Sequence, residues 1–300
     1  MINSFRFKKL DAFANNGSSG NPAGVVYLQK ETDLSPAKMQ QIAKELKGFV
    51  NEVAFLFQAE NKDADYLLKY YSSEREVDFC GHATIALFYD LIKTTPELLV
   101  KPVLKIKTNM GMSDIYVEIL KEDAIFLSAP APQYLKTNLT LGQVAQALEI
   151  PEKDIDLSRP IALVNGGLKT LIVAIRDLEA CLKVLPDEEK LKYFCLDNNI
   201  DVVHISTGER YDPSNAYRSR VFAPTFGYLE DPATGSANAA FGYYLLQNNL
   251  WDGNLISLEQ GLNKEKANII KLSTILDENK IQRVLIGGNA IVKIDGEYFL

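Results

Sequence analysis

The stretch EDPATGSANAAFGYYLL, residues 230–246, sets two acids and a proline ahead of a Gly-Ser step and then runs unbroken into small and aromatic residues. A helix that is apolar nearly all round is one wrapped on every side by other structure. CGHATIALFYDLI, residues 80–92, reads the same way. It can be set against PATGSANAAFGYYLL, residues 232–246, without a gap: a glycine, a small polar step, then about three turns of Ala, Phe, Tyr and Leu. Strands around a wholly buried helix suggest a barrel-like sheet, and two such helices suggest a duplication. A helix N-terminus carries unpaired N–H groups and about half a positive charge, so a glycine-rich entry is a place for an anion. Two such termini, around Gly81 and around Thr234, Gly235 and Ser236, would together hold a carboxylate. Asp231 could cap the second helix or orient a substrate amine, and Ser236 could bind a substrate carboxylate.

The rest of the chain fits a protein that handles small molecules. Three hundred residues, 47% apolar and 24% charged, suffice for one large or two medium domains. A net charge of -7 argues against nucleic acid or an anionic membrane as partner. No apolar run approaches the ~18 residues of a membrane span, and the N-terminus lacks the core of a secretion signal, so a cytoplasmic location is expected. Cys80, Cys181 and Cys195 are odd in number and widely spaced, as free thiols in a reducing compartment would be. The sequons at Asn16 and Asn138 then carry no weight.

Alternating or apolar runs predict strands at FRFKKLDAF, GVVYL, EVAFLFQ, YLLKYYS, LKIKT, DIYVEIL and AIFLSA in the first 130 residues. Ser35 to Leu46 reads as a helix with Ser35 as N-cap, Pro36 first and Gly48 just beyond its end. SAPAPQY, residues 128–134, reads as a stiff linker. Beyond it TLIVAIRD, VVHIST, AYRSRVFAP, NLISLEQ, NIIKLSTI and RVLIGG surround the helix at about 234–248. The regular βα alternation of a Rossmann fold is missing.

Glu52, in GFVNEVAFLF, is the sole ionisable residue between Lys47 and Glu60. A carboxylate inside an apolar strand loses hydration, its pKa rises, and it can give and take protons near neutral pH. The competing reading is a strand-mouth Glu that leans into solvent. His82 could cap its own helix or shuttle protons. Cys80 precedes a helix start, which favours a thiolate, or is simply a small buried residue. His82 and His204 lie in unrelated settings with no carboxylate or thiol cluster at ligand spacing around them, so metal chemistry is not expected.

DAFANNGSSGNPAGVVYL, NEVAFLF, EVDFCGHATIALFYDL, RVFAPTFGYLEDPATGSANAAFGYYL, LEQG and VLIGGNAIVKIDGEY, in this order and spanning nearly the whole chain, resemble the PhzF-like family of phenazine-biosynthesis isomerases. The resemblance implies an α+β, diaminopimelate-epimerase-like fold: two pseudo-symmetric domains, each a β-barrel-like sheet around a central α-helix, with the active site in the cleft between them. Residues 1–128 with a return strand at 289–300 would form the first domain and 129–288 the second. It also implies a homodimer without cofactor or metal. The family's acid/base glutamate falls on Glu52, its histidine on His82, its aspartate and serine on Asp231 and Ser236; Asn21, Gly81, Thr234 and Gly235 would bind substrate beside them. Related epimerases use two cysteines, and here Cys80 matches the first while Pro232 stands at the second. YYSSEREVDF replaces a common Thr-Pro step, and EQGLNKEKANIIKL lacks the Gly-Arg-Pro many relatives carry.

The activity expected on these grounds is isomerisation or epimerisation of a small carboxylate-bearing metabolite by proton transfer through Glu52. A cysteine-assisted amino- or hydroxy-acid racemase and a non-catalytic metabolite-binding protein are the alternatives. A hydrolase with Ser236 as nucleophile is disfavoured, because TGSAN is not a Gly-x-Ser-x-Gly elbow.

Overall fold

A computed structural model of the chain describes residues 4–15, 17–59 and 63–300, and Asn16 of the first sequon lies outside them. Two compact units emerge: Met1–Ala14 with Ser19–Ser128 and Gly287–Leu300, and Asn15–Ser18 with Ala129–Ile286. Among the described residues no helix is long and apolar enough to cross a membrane.

In the first unit β1 (Ser4–Ala12) pairs antiparallel with β2 (Asn21–Tyr27). The chain then crosses through α1 (Pro36–Glu45) to β3 (Glu52–Gln58), which runs parallel to β2 with Glu52 opposite Ala23. Ser35 is the N-cap of α1, as its sequence predicts. Its carbonyl rather than its hydroxyl takes the first amides, those of Lys38 and Met39. Gly48, at φ 79°, turns the chain beyond the helix end at little steric cost. β3 is buried on both faces from Val53 to Phe57, and Met39, Ile42 and Ala43 of α1 pack in the same core as Val53, Phe55 and Phe57. β4 (Tyr66–Ser72) follows antiparallel to β3, with the short β5 (Glu76–Val77) antiparallel to it. α2 (Gly81–Thr94) and α3 (Pro96–Leu99) then lead to β6 (Val103–Thr108), parallel to β4. β7 (Gly111–Glu118), α4 (Ile119–Glu122) and β8 (Ala124–Ser128) complete this part.

The second unit opens with β9 (Gln133–Leu135), α5 (Leu141–Ala147), β10 (Ala162–Asn165) and β11 (Lys169–Ala174). α6 (Leu178–Lys183) and α7 (Glu188–Asp197) cross to β12 (Val202–Thr207), parallel to β11. β13 (Tyr217–Phe222) and β14 (Glu230–Asp231) precede α8 (Gly235–Gln247). β15 (Ile256–Gln260) returns parallel to β13, followed by β16 (Asn268–Leu276) and β17 (Gln282–Gly288). Finally β18 (Ala290–Phe299) pairs along the whole of β1, from Ser4 opposite Phe299 to Ala12 opposite Ala290.

The architecture is a mixed α/β fold with extensive sheet. The pairings of β1 to β7 are antiparallel, parallel, antiparallel, antiparallel to the short strand, then parallel and antiparallel again. The same succession runs from β10 to β16. Each of the parallel pairs in these two successions is bridged by helix, because a parallel return needs a long crossover. α2 lies against β1, β2, β3, β8 and β18, and α8 against β10, β11, β12 and β16. This is why both helices are apolar all round: Ala83 to Asp90 and Ala237 to Leu245 are buried without interruption. Gly166, between β10 and β11, lets that turn approach α8 closely, since a Cβ there would lie 2.8 Å from the Ala240 amide nitrogen.

Two features correct the sequence reading. The linker at 128–134 shortens to 129–132, because Ser128 ends β8 and Gln133 opens a strand paired with β10. Helices α5, α6 and α7 do not figure in that reading, although Thr140, Asp177 and Asp187 cap them with side-chain hydrogen bonds.

Candidate active site

Glu52 is the first residue of β3, and its carboxylate meets the start of α2. Cys80, the N-cap of α2, has its Sγ 3.8 Å from Glu52 Oε2. His82 Nε2 lies 3.3 Å from the same oxygen, and His82 Nδ1 is 3.4 Å from Cys80 Sγ. The Glu52 side chain is 25% exposed, not extended into solvent. Burial raises its pKa from the ordinary carboxylate value to about 7, and the Cys80 thiol, donating to the carboxylate, holds it from rising further. A carboxylate so placed exchanges protons near neutral pH.

Gly81 and His82 head α2, ahead of the first intrahelical bond from the Thr84 amide to the Cys80 carbonyl, 3.0 Å. The Thr84 hydroxyl donates to the same carbonyl at 2.7 Å and meets Tyr70 Oη at 2.6 Å, which pins this terminus. Asn21 is buried at the start of β2, and Asn51, beside Glu52, donates from Nδ2 to Asn21 Oδ1 at 3.0 Å. The structure therefore gathers Asn21, Glu52, Gly81 and His82, with Cys80, in the first unit.

The second unit gathers Asp231, Thr234, Gly235 and Ser236. Thr234 is the N-cap of α8, with backbone angles (φ -122°, ψ 104°) close to those of Cys80 (φ -134°, ψ 105°). Asp231 is not itself the N-cap residue of α8. Its carboxylate is buried, three residues before that N-cap, and accepts a hydrogen bond from the Thr234 hydroxyl. Gly235 and Ser236 are half-buried in the first helical turn.

Sequence reasoning missed the residues that hold this turn. Gln260 Oε1 accepts from the Thr234 amide at 3.1 Å and from Asn238 Nδ2 at 2.6 Å. Its Nε2 donates to the Asp231 carbonyl at 2.9 Å and to the Thr234 hydroxyl at 3.1 Å. Asn238 also donates to the Thr234 carbonyl and meets His204 Nε2 at 3.3 Å. Asn268 donates to the Pro232 carbonyl at 2.6 Å. Arg220, fully buried, grips Glu230 through Nε and Nη2. The visible signal was the polar Asn238 inside an otherwise apolar helix and Gln260 at the end of a strand. His204 is not part of a ligand set: its ring stacks on Phe241, and burial lowers its pKa to about 4.

One further correction concerns ligands. Along the chain no carboxylate, thiol and imidazole stand at ligand spacing, but in space the ligating atoms of Glu52, Cys80 and His82 lie within 4.8 Å of one another. Spacing rules could not find a set split between a strand and a later helix start.

The family described as phenazine biosynthesis-like protein, PhzC-PhzF, matches residues 10–296. The chain belongs to this family. Among PhzF-like proteins it is 32% identical over 257 residues to the uncharacterized isomerase YfhB of Bacillus subtilis, covering 84% of this chain and 85% of that one. It is 27% identical to the trans-2,3-dihydro-3-hydroxyanthranilate isomerase of Pseudomonas fluorescens, over 94% of this chain and 95% of that one. A crystal structure of a PhzF-family phenazine biosynthesis protein from Bacillus anthracis superposes with a TM-score of 0.86 at 27% identity, covering 99% of this chain and all of the other. The protein is thus a PhzF-like enzyme of the isomerase class.

Proposed function

We propose that this PhzF-like protein is a cofactor-independent isomerase or epimerase that moves a proton on a small, carboxylate-bearing metabolite. The observation that carries the reading is the Glu52 carboxylate, drawn out of water at the start of α2 with the Cys80 thiol and the His82 imidazole upon it. In this reading Glu52 takes a proton from substrate carbon and returns it to another carbon or face. His82 and Asp231 orient the substrate and the proton, and Asn21 borders it. The amides at Gly81 and at Thr234, Gly235 and Ser236 hold the carboxylate. General acid/base transfer supplies roughly 10²–10⁴-fold, and positioning and electrostatics the remainder.

The proposal extends to the whole chain. In this reading the chain forms two pseudo-symmetric barrel-like domains, 1–128 with 289–300 and 129–288. The recurring strand pairings and the matched N-cap angles of Cys80 and Thr234 support the duplication. The protein acts as a cytoplasmic homodimer. Its substrate shares with trans-2,3-dihydro-3-hydroxyanthranilate, the compound named for the Pseudomonas fluorescens relative, a proton on carbon that can migrate.

A second reading has one observation in its favour: Cys80 Sγ beside the Glu52 carboxylate could be the proton carrier of a racemase. Candidate acids, that dihydroanthranilate included, are incubated in deuterated water with wild type, Glu52→Gln and Cys80→Ala, and deuterium uptake is read by mass spectrometry. The proposal expects uptake to fall at least about 100-fold in Glu52→Gln and to persist in Cys80→Ala. Unchanged uptake in Glu52→Gln rules it out, and loss confined to Cys80→Ala favours the racemase.

A further inference from the structure

Beneath the start of α8 the fold buries more polar side chains than pinning a helix requires. His204, Asn238 and Gln260 are fully buried, and Thr234 and Asp231 are 8% and 6% exposed. Backbone groups fix how the two amides lie. The Thr234 amide donates to Gln260 Oε1 at 3.1 Å, and the Asp231 carbonyl accepts from Gln260 Nε2 at 2.9 Å. Turning the Gln260 amide over would set donor against donor at one end and acceptor against acceptor at the other. The Thr234 carbonyl likewise accepts from Asn238 Nδ2 at 2.8 Å, and the same nitrogen donates to Gln260 Oε1 at 2.6 Å. Asn238 Oδ1 is therefore the atom that faces His204 Nε2 at 3.3 Å, and the ring carries its proton on Nε2. His204 Nδ1 is buried with no hydrogen-bond partner among the described residues, a setting that penalises a second N–H there.

The direction is fixed at the other end as well. Gln260 Nε2 gives its second hydrogen to Thr234 Oγ1 at 3.1 Å, so the Thr234 hydroxyl turns its own to Asp231 Oδ2. We infer that these bonds form one chain of fixed direction, from His204 through Asn238, Gln260 and Thr234 to Asp231, which holds the Asp231 carboxylate as an acceptor and sets its rotation. Gln260, which touches no reacting atom, is then a positioning residue. That role rests on the function proposed above, in which Asp231 orients the substrate, whereas the chain itself does not. A carboxylate held as an acceptor presents negative charge, so the substrate group it suits is an amine or hydroxyl that donates to it, not a second carboxylate.

Direction and role are tested separately. The chain has two histidines, so long-range proton–nitrogen NMR of protein labelled at the histidine nitrogens reads the His204 tautomer at neutral pH, with His82→Gln to assign the signals. The neutral Nε2–H form is expected, and an Nδ1–H form overturns the chain whatever the enzyme does. The role is read from Gln260→Glu, which keeps the size and the acceptors of the side chain. As a carboxylate it has no hydrogen to give to Thr234 or to the Asp231 carbonyl. Deuterium uptake by the acid that wild type turns over is followed from about pH 8 down to about pH 5.5, in protein shown by circular dichroism to be folded. At the alkaline end kcat should fall about 10–100-fold, the loss that misplacing a reacting group brings. The ratio of variant to wild-type rate, in which the titration of Glu52 cancels, should climb as pH falls and the introduced carboxyl regains a hydrogen to donate. A folded variant that works at the wild-type rate, or one whose ratio does not climb, overturns the positioning role. Should no acid exchange deuterium with wild type, the proposed function fails while the tautomer still decides the chain. Should Glu52→Gln abolish exchange and Gln260→Glu leave it intact, the function stands and the positioning role falls.

Discussion

His204 shows how one buried residue sets a pH dependence. Its ring is sealed inside the second unit, stacked on Phe241 with centroids 4.5 Å apart, and burial takes its pKa from 6.5 to about 4. Between those values the unfolded chain binds a proton that the folded one refuses, so stability is fully present above pH 6.5 and is lost as pH falls toward 4. The shift corresponds to about 3 kcal/mol over that window. Urea unfolding of wild type and His204→Gln at pH 7 and pH 4.5 checks this. The loss on acidification should be about 2–3 kcal/mol smaller in the variant, and equal losses in the two proteins would refute it. Glu52 and His204 also mark what the sequence makes legible. Glu52 stands out because its neighbours in the strand carry no charge, and an isolated carboxylate in an apolar run is a local signal. Nothing local tells that His204 is sealed away, because that depends on Phe241, 37 positions further along the chain. Gln260 is more opaque still. It is an ordinary strand-end polar residue until folding brings it to Asp231 and Thr234. In Gln260→Leu the Thr234 amide and the Asp231 carbonyl each lose a buried partner. Unpaired buried groups cost roughly 1–3 kcal/mol apiece. The variant should lose about 2–4 kcal/mol in chemical denaturation, and a loss below about 0.5 kcal/mol would mean the network carries no strain when cut.

At the scale of elements the legible parts are those whose pattern is set by burial alone. β3, β4 and β12 begin and end where EVAFLFQ, YLLKYYS and VVHIST do. α2 and α8 follow from their all-round apolarity, which is the signature of a helix clasped by strands. α5, α6 and α7 escape because they pack one face only and are short, so their periodicity is diluted by exposed Lys, Glu and Gln; their Thr and Asp caps were the readable trace. The clasp itself can be tested at Gly166. A Cβ at this position would press the α8 backbone at Ala240, 2.8 Å from nitrogen and 3.0 Å from Cα, and neither can rotate away. Gly166→Ala should therefore cost about 1–3 kcal/mol, as overpacking does. Gly48 is the contrast: its φ is 79° but nothing lies within 4 Å of an added Cβ, so Gly48→Ala should cost only the ~1–2 kcal/mol of a left-handed alanine. In the Gly166 variant the loss should be accompanied by altered near-ultraviolet dichroism from the Phe241 and Tyr244 cluster of α8. In the Gly48 variant that signal should be unchanged.

At the scale of the whole chain, the first unit is discontinuous: it needs Gly287–Leu300 as well as the residues before Ala129. β18 supplies nine paired positions along β1 and covers part of α2. Without it β1 has a bare edge, and the apolar α2 is open on one side. Unsatisfied strand edges and exposed apolar helix surface are what drive association of partly folded chains. A fragment ending at Ser128 should therefore fail to melt cooperatively and should bind a hydrophobic dye, although it holds Glu52, Cys80 and His82 and every other strand of its unit. Adding a synthetic peptide of residues 287–300 in trans should restore a cooperative thermal transition, with a midpoint that rises with peptide concentration, since anything that binds only the folded state stabilises it by mass action. Calorimetry of the fragment with and without the peptide decides the matter. A fragment that melts cooperatively alone would mean that α2 and the first eight strands already close a core, and the return of the C-terminal strand would then serve the site or assembly rather than folding.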